Sequence, residues 1–555
     1  MHHVNTFLVA LLFVSLSAQA QPVMVKNIWP GDIGSVIYPT EKYAVVGNTF
    51  YFEAEDLTYG PELWKSNGTA AGTVLVRDIN PSDLQSGVDQ LLTEYQGHLY
   101  FMAKDYASFG IELWRTVNGT EGAAMITDAC IGTCPNTALT SKARISVLNN
   151  KLYMCYYSTD IGNELWESDG TTAGTKLVKD IYSGIPDSRP EHLTAFKGNL
   201  YFMAASGSFG RELWVSNGTE SGTQMLKDIN PGPNESSGSA IVVGSNALYF
   251  WASNGVSGKE LWKTDGTEAG TVMIKDINPG PGNGAPSNPL SQYLWYGDRL
   301  LFLANDGING TELWITDGTE AGTMMVQDIT PGAGSSEISL YGVVNGTALF
   351  RCKDDAHGRE LWATDGSPTG TALVKDILPG AVGGLELTFS TMVFQNYLFF
   401  GADDGVNGYE LWRTNGTEAG TVLQSNIYPG SFSSYPGGLS LIGKTMFFFA
   451  ETNTAGRELW KYDLTALSTD TPEALAASVF PTASADGRYS VQTIDPESAM
   501  RVEAYDLLGR LLAVRNLPQG EQALDLSALQ PGAYVLRLAG ANTGRVGTAR
   551  VFVIR

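Results

Sequence analysis

The chain has 555 residues, 43% of them apolar and 17% charged, which argues against a disordered protein and against a single ordinary core. Its net charge of −23 argues against a nucleic-acid backbone or an anionic membrane surface as partner, because both would repel it. A cation, or a neutral ligand such as a glycan, is compatible with that charge.

The first twenty residues have the pattern of a cleaved export signal. An apolar stretch from Phe7 to Leu16 is followed by Ala18-Gln19-Ala20, the small-x-small pattern that precedes signal-peptidase cleavage. The alternative, a membrane anchor or buried strand, fits less well, because ten apolar residues are too few to span a bilayer. We therefore expect an exported protein that begins at Gln21 and has no transmembrane segment in the mature chain.

A phrase close to Glu-Leu-Trp-x-Thr-Asp-Gly-Thr recurs nine times after this signal, with its tryptophans 48 to 52 residues apart. Such a period indicates a repeat architecture, in which each unit buries its apolar face only by stacking on copies of itself. The structural repeat residues predicted are Glu62, Trp64, Glu112, Trp114, Glu164, Trp166, Glu212, Trp214, Glu260, Trp262, Glu312, Trp314, Glu360, Trp362, Glu410, Trp412, Glu458 and Trp460.

One repeat, residues 90 to 129, has the pattern of four short strands separated by turn residues, with no helical period. Asn118-Gly119 predicts a tight hairpin between the last two strands. The predicted strands are Leu91–Tyr95, Leu99–Ala103, Ile111–Thr116 and Ala123–Thr127. Four antiparallel strands per 40 to 50 residues, repeated along the chain, are typical of a β-propeller blade.

The two ends of the repeat region predict how the array closes. The ninth unit stops at Asp463 without a fourth strand, whereas Val23–Ile28 has the pattern of a fourth strand that lacks the preceding three. Pairing of these fragments would complete one blade and remove the exposed edges of an open array. We therefore predict a closed all-β propeller of about nine four-stranded blades at residues 21–463. Eight blades with one unit outside, or an open superhelix, are the alternatives.

From Val23 to Asp463 the chain resembles the Glu-Leu-Trp-x-x-Asp-Gly-Thr (ELWxxDGT) repeat family of exported bacterial proteins. Nine copies of the motif carry this resemblance. The family is defined by its sequence repeat, so the resemblance implies export and a bacterial source but no particular activity.

The repeat is absent from the last part of the chain. Residues 464–478 have no apolar period and are predicted to form a linker. Residues 479–555 contain strand patterns separated by Gly-Arg, Gln-Gly and Pro-Gly turns, which predict a small β-sandwich.

This C-terminal module resembles the type A sorting domain of the type IX secretion system. The resemblance rests on the Asp506–Arg510 turn, the phrase from Leu524 to Leu529, the strand from Gly532 to Leu536 and the basic, then apolar, C-terminus. The chain departs from the family at Pro481-Thr482-Ala483, where Pro-Asn-Pro is usual. The resemblance implies the type IX secretion machinery as partner and a secreted or outer-membrane surface location. An ordinary immunoglobulin-like accessory domain is the alternative.

The repeated glutamates and the acidic loops before some of them raise the question of calcium. Oxygen ligands grouped around glycine turns suit Ca²⁺, and the candidates are Asp306, Glu312, Asp404 and Glu410. The spacing does not match an EF-hand, however, and four units lack the acid pair. A carboxylate that accepts loop N–H bonds would recur in the same way without metal, and we favour that interpretation. No cofactor besides this calcium hypothesis is predicted.

The cysteines and histidines offer little chemistry. Cys130 and Cys134 are candidates for a local disulfide, because they flank a short segment where other repeats have a Pro-Gly turn. Cys155 and Cys352 are assigned to the column of Ala103 and are expected to be small buried thiols. The three histidines after the signal lie in different columns, so no metal-binding cluster is predicted.

The sequence favours a secreted or surface-displayed propeller that binds an extracellular glycan or protein, as an adhesion or scaffold module. No catalytic residue is predicted and the ligand-binding residues are unknown. The loops that differ most between units, Ser183–Glu191, Asn278–Pro289 and Ser431–Gly438, are the better candidates. The alternative is an extracellular carbohydrate-active hydrolase or lyase with acids at the channel, which would need an acid pair in one or two units only.

Overall fold

In the computed structural model, the regular secondary structure of the described residues is β-strand apart from one short helix. Gln21–Tyr462 forms one compact unit, and Asp463–Arg555 belongs to another. The predicted signal and the predicted Cys130–Cys134 disulfide lie outside the described residues. The structure describes residues 21–36, 42–81, 87–105, 110–117, 122–127, 145–236, 238–286, 293–385, 390–468, 477–480, 483–484, 488–493, 500–505, 511–517, 523–530, 532–540 and 546–553.

The first unit contains nine four-stranded antiparallel sheets, the blades. The N-terminal strand is β1 (Val23–Lys26). Blades 1 to 3 contain β2 (Tyr43–Val46), β3 (Thr49–Asp56), β4 (Gly60–Ser66), β5 (Val74–Arg77); β6 (Val88–Tyr95), β7 (His98–Asp105), β8 (Gly110–Thr116), β9 (Ala123–Met125); and β10 (Ser146–Leu148), β11 (Lys151–Ser158), β12 (Gly162–Ser168), β13 (Lys176–Lys179). Blades 4 to 6 contain β14 (Glu191–Phe196), β15 (Asn199–Ser206), β16 (Gly210–Ser216), β17 (Gln224–Lys227); β18 (Ser239–Val243), β19 (Leu248–Ser253), β20 (Lys259–Thr264), β21 (Val272–Lys275); and β22 (Tyr293–Tyr296), β23 (Arg299–Asn305), β24 (Thr311–Thr316), β25 (Met324–Gln327). Blades 7 and 8 contain β26 (Ser339–Val344), β27 (Thr347–Asp354), β28 (Gly358–Thr364), β29 (Ala372–Lys375); and β30 (Met392–Phe394), β31 (Tyr397–Asp403), β32 (Tyr409–Thr414), β33 (Val422–Ser425).

Blade 9 closes the ring with strands from both ends of the unit. It contains β34 (Gly437–Ile442), β35 (Thr445–Thr452) and β36 (Gly456–Asp463), and β1 is its fourth strand. Met24 pairs with Trp460, and Phe50 of blade 1 stacks on Phe447 of blade 9. The predictions of a closed propeller and of N-terminal strand closure are confirmed. The ring has nine blades, so the eight-bladed and open alternatives are wrong.

Strand order fixes which parts of each blade face the axis. The first strands of adjacent blades lie side by side, as β2 does with β6 and with β34, so they surround the central axis. The fourth strand is on the far side of each sheet and forms the rim. Because consecutive strands are antiparallel, the loop between strands two and three emerges at the same end of the propeller as the connector from strand four to the next blade.

The repeated Leu-Trp pair holds neighbouring blades together. Successive strand residues point to opposite faces of a sheet, so each blade packs its Trp on one side and its Leu on the other. The Trp is buried in seven blades and half-buried in blades 3 and 9. Trp64 packs with Phe447 and Phe449 of blade 9, whereas Leu63 packs with Phe101 of blade 2. Removing such a buried tryptophan typically costs about 3–5 kcal/mol. This two-sided burial explains why the motif recurs in every blade.

The Asp/Asn-Gly-Thr part of the motif builds the turn between strands three and four. In blade 1, Asn67 Oδ1 accepts bonds from the Thr69 nitrogen (3.0 Å) and hydroxyl (2.7 Å). Gly68 adopts a φ of +82°, which favours glycine. Thr73 then donates its hydroxyl to the Thr69 carbonyl at 2.8 Å. An aspartate makes the same bonds to its threonine in blades 3, 5 and 6.

Lysines on several fourth strands bind the next blade. Lys227 Nζ of blade 4 donates to the Thr271 carbonyl of blade 5 at 2.7 Å. Lys26 makes the equivalent bond to the Thr73 carbonyl at 2.8 Å and lies 5.6 Å from the centre of the Trp64 ring. These lysines therefore hold adjacent blades together at the rim by charge-assisted hydrogen bonds.

The C-terminal unit starts with α1 (Thr465–Ser468), which lies in the predicted linker and follows the buried Leu464. Two sheets follow, as expected for a β-sandwich, and Leu524 and Leu536 are buried. The three-stranded sheet contains β37 (Ala477–Phe480), β39 (Arg488–Thr493) and β42 (Ala523–Asp525). The five-stranded sheet contains β38 (Ala483–Ser484), β40 (Met500–Tyr505), β41 (Leu511–Leu517), β43 (Gly532–Gly540) and β44 (Val546–Val553).

The strand register corrects one assignment made from the sequence. Cys352 lies opposite Glu360, as Ala103 lies opposite Glu112, but Cys155 lies opposite Leu165. In blade 3 the residue opposite the repeated glutamate, Glu164, is Tyr156. Cys155 therefore lies one position before the column of Ala103, to which the sequence assigns it. Both thiols are free and buried. They belong to opposite faces of their sheets, because a shift of one residue reverses side-chain direction.

Candidate functional site

The nine repeated glutamates are all buried inside the blades. Glu410 is typical: it accepts bonds from the backbone nitrogens of Ile427 (2.8 Å), Tyr428 (3.1 Å) and Ser434 (3.2 Å) and from the Ser434 hydroxyl (2.7 Å). Glu212 does the same with the nitrogens of Ile229 and Ser236 at 2.8 and 2.9 Å. The glutamate thus fixes both ends of the connector that leads to the next blade.

In blade 9 the same glutamate joins the two ends of the propeller. Glu458 accepts a bond from the Trp29 nitrogen at 3.2 Å and from the Ser35 hydroxyl at 2.6 Å, although these residues are more than 400 positions away in the chain. Next to it, the Ser35 and Val36 nitrogens donate to the Arg457 carbonyl at 3.0 and 3.1 Å. The N-terminal segment therefore takes the position of the missing ninth connector and donates the same kinds of hydrogen bond to the repeated glutamate.

Burial changes the acidity of these glutamates. Loss of hydration raises the pKa of Glu62 to about 8. The same cause raises the pKa of Glu164, Glu212, Glu260, Glu312, Glu360, Glu410 and Glu458 to about 7, although hydrogen-bond donors around each carboxylate oppose the shift. The hydrogen bonds that these carboxylates accept from their connectors indicate a structural role.

The calcium candidates take part in two separate networks. Asp306 Oδ1 accepts the backbone nitrogens of Ile308 (2.9 Å) and Asn309 (2.8 Å), and Asp404 does the same in its own loop. Glu312 and Glu410 instead bind their connectors. In the described part of the chain, no three His, Cys, Asp or Glu side chains are grouped so that they would hold a metal ion.

Two acids that occur in one blade only, Glu53 and Glu337, have basic neighbours. Lys42 Nζ lies 3.0 Å from Glu53 in blade 1. Glu337 in blade 7 lies against Arg359 and 3.1 Å from Lys353. These arrangements are ion pairs and differ from the two carboxylates, with room for a sugar between them, that glycoside hydrolysis needs.

The loops between strands two and three and the connectors form one continuous surface, which we call the connector face. Glycines allow the close contact, as blade 8 shows. A Cβ on Gly405 would lie 2.7 Å from Leu378 of the preceding connector, and one on Gly408 would lie 2.2 Å from the carbonyl oxygen of Phe432 in the following connector. The loop of blade 8 is thus packed between two connectors, and the same two contacts recur in blades 4, 5 and 6.

Apolar side chains project from this face into solvent. Among the described residues, eight large apolar side chains are 59% to 75% exposed, and all eight lie in these loops or connectors. We call them the apolar tips: Ile33, Leu57, Ile185, Val256, Ile308, Val382, Val406 and Phe432. The sequence analysis missed them. A signal was present in the phrases Asp-Gly-Ile-Asn-Gly and Asp-Gly-Val-Asn-Gly, where an aliphatic residue occupies a turn that is otherwise polar.

Two of the loops chosen from the sequence, Ser183–Glu191 and Ser431–Gly438, lie on the connector face and carry apolar tips. Phe432 stacks on Tyr428 with ring centres 4.9 Å apart. Of the third loop, Asn278–Pro289, the structure describes residues up to Pro286. Asn278 Nδ2 there donates to the Asn283 carbonyl at 3.1 Å, so this connector is held by its own amide side chain.

Comparison with known proteins gives no family for this chain. No protein-family model matches this chain, and no curated protein matches it. Among solved structures it is similar to a puromycin hydrolase, with 12% identity and a TM-score of 0.33 over 66% of this chain and 58% of that chain. It thus spans 58% of the length of that enzyme.

Two further structures match over most of this chain. One is PorZ, a bacterial surface component of the type IX secretion system of Porphyromonas gingivalis, with 11% identity and a TM-score of 0.25 over 93% of this chain and 86% of that chain. The other is the extracellular domain of the putative one-component system BT4673 from B. thetaiotaomicron, with 13% identity and a TM-score of 0.27 over 94% and 76%. Similarity this low does not transfer a function. Within the described residues, none of the helices has the length and apolar character needed to cross a bilayer.

Proposed function

We propose that this protein is an exported binding module whose ligand contacts the connector face. The observation that carries the proposal is the collection of the apolar tips on one face of the ring. Exposed apolar side chains grouped on one surface of a soluble domain are typical of binding sites. The repeated glutamates do not compete for this role, because they are buried and bind the connectors.

The proposed route out of the cell rests on the sequence. The N-terminal signal pattern and the similarity of residues 479–555 to a type IX sorting domain support secretion or display on the outer-membrane surface, with the type IX machinery as partner. Export of the full-length protein from a bacterium with an intact type IX system, compared with a strain that lacks it, tests this part. Retention of the protein in the periplasm of the intact strain would contradict it.

Binding is tested on the protein that begins at Gln21, with a glycan array and a panel of extracellular proteins. A parallel hydrolysis screen, with and without Ca²⁺, tests the second candidate, a carbohydrate-active hydrolase or lyase. We expect saturable binding that weakens when Val406 and Phe432 are replaced by serine, and no turnover. Turnover that survives these replacements would favour the enzyme. The blade-specific acids give that candidate less support, because Glu53 and Glu337 are paired with basic side chains.

A further inference from the structure

We propose that the connector face docks a basic polypeptide that presents apolar side chains between its lysines or arginines. This inference rests on the proposed binding function and names the class of partner. It follows from three properties of the face: its continuity, its exposed apolar tips and its charge.

Continuity makes the tips parts of one surface. The loop that carries Val406 lies between the connector that carries Val382 and the one that carries Phe432. The same interleaving joins blade 9 to blade 1, where the Glu55 nitrogen donates to the Ser35 carbonyl at 2.8 Å. A partner that lies along this ring therefore meets one tip after another. Each tip that the partner covers removes apolar surface from water, which favours binding.

The charge of the face selects the partner. The described loops and connectors contain fourteen Asp or Glu residues and only two Lys or Arg residues, Lys42 and Arg189. Both basic residues are already paired: Lys42 lies 3.0 Å from Glu53, and Arg189 lies 2.9 Å from Asp187. Two of the fourteen acids are neutralised by basic side chains, Asp187 by Arg189 and Glu337 by Arg359 and Lys353 at neighbouring strand ends. The loops and connectors that carry the tips still have a net negative charge. Complementary charge attracts a basic partner and repels an acidic one.

Two acids on this face, Asp306 and Asp404, have a lowered pKa. Burial disfavours the charged form of Asp306, but the Asn309 and Ile308 nitrogens and the Asn309 amide outweigh it and hold the pKa of Asp306 below its ordinary value. Asp404 is held in the same way by Asn407 and Val406. Each of these aspartates lies in the same loop as a tip, so negative charge and apolar surface occur side by side. Anionic lipid is disfavoured as the occupant for the same electrostatic reason.

The test uses synthetic peptides and the full protein that begins at Gln21. Fluorescence anisotropy is measured with an amphipathic Lys/Leu peptide, a Glu/Leu peptide of the same pattern, a Lys/Ser peptide and phosphatidylcholine vesicles. We expect the Lys/Leu peptide to bind best and its affinity to fall as salt rises from about 0.05 M to about 0.5 M. Stronger binding of the Glu/Leu peptide, or equal binding of the Lys/Ser peptide, would overturn the proposal. So would tip-dependent binding to the vesicles.

Matched variants locate the site. The tip variant carries Ile308→Ser, Val406→Ser and Phe432→Ser, and the control carries Val272→Ser and Met324→Ser, which remove exposed apolar side chains from the rim strands β21 and β25. We expect the tip variant to bind the Lys/Leu peptide about tenfold more weakly, a loss of about 1.4 kcal/mol, and the control to be unchanged. Equal loss in both variants would refute the assigned face. Glycan binding that ignores the tips would refute this inference while leaving a binding function in place.

Discussion

Replacing Glu458 with alanine should release the N-terminal segment while the rest of the ring stays folded. The side chain is fully buried and accepts the Trp29 nitrogen and the Ser35 hydroxyl. Each buried donor left without a partner costs about 1–3 kcal/mol, so the two together cost about 2–6 kcal/mol. The loss weakens the attachment of the N-terminal segment in particular, because residues 21–36 contribute only one strand, β1, to the propeller.

Glu212→Ala is the matched control. Glu212 is equally buried and holds the Ile229 and Ser236 nitrogens at 2.8 and 2.9 Å, so the chemistry that it loses is similar. Its connector, however, continues into strands of blades 4 and 5 at both ends and remains held when the glutamate is gone. We therefore expect a similar loss of global stability in the two variants but a different pattern of local opening.

Hydrogen exchange measured by mass spectrometry separates the two cases. In Glu458→Ala, peptides that cover residues 21–36 should exchange faster than in the unmodified protein, at denaturant concentrations where the other blades are still protected. In Glu212→Ala, the same peptides should be unaffected. If residues 21–36 exchange at the unmodified rate in Glu458→Ala, or open equally in both variants, then Glu458 is not the residue that holds the N-terminal segment on blade 9.

Other properties are predicted from the same contacts. Burial raises the pKa of Glu212 from 4.5 to about 7, so its contribution to stability is complete below about pH 4.5 and is lost as pH rises through 7. Thermal midpoints should therefore fall between about pH 5 and pH 8, and Glu212→Gln should make that fall smaller, even in high salt, while the other buried glutamates still titrate. Gly34→Ala should lower the thermal midpoint more than Gly47→Ala, because both glycines have positive φ but only the Cβ at position 34 would lie 2.1 Å from a backbone nitrogen in β36. Equal losses of stability would mean that backbone strain alone, without the steric clash, decides the outcome. Lys227→Met should cost about 1 kcal/mol in urea unfolding through loss of the bond to the Thr271 carbonyl, and an unchanged midpoint would refute the rim contact.

The fold was predictable because two independent signals agree in the sequence. The period of the Glu-Leu-Trp motif fixes the number of blades, and the orphan strand pattern at Val23–Ile28 fixes closure. The individual strands are visible locally as well, since strand alternation and turn residues are read within a few positions. The predicted strand Leu99–Ala103 thus lies within β7, and the predicted Ile111–Thr116 lies within β8.

Side-chain partners were less predictable, because they depend on register and on distant segments. A shift of one position moved Cys155 to the opposite face of its sheet from the one assigned. The sequence favoured structural glutamates that accept loop N–H bonds, but it did not indicate that Glu458 would take its donors from Trp29 and Ser35. That contact exists only after the ring has closed, so no local pattern contains it.

The position of the apolar tips is also a property of the closed ring. When one repeat is read alone, a valine between turn residues, such as Val406 in its loop, has no evident role. If exposure were incidental, equally exposed apolar side chains would occur among the described residues at the opposite end of the blades and on the rim as well. There the greatest exposure is smaller, 55% for Val23 and 51% for Met324 on rim strands and 46% for Val243 on an inner strand. Buried residues such as Leu63 already supply the packing that holds the blades together, so the tips are not needed for it. Their restriction to the connector face therefore argues that they serve contact with a partner.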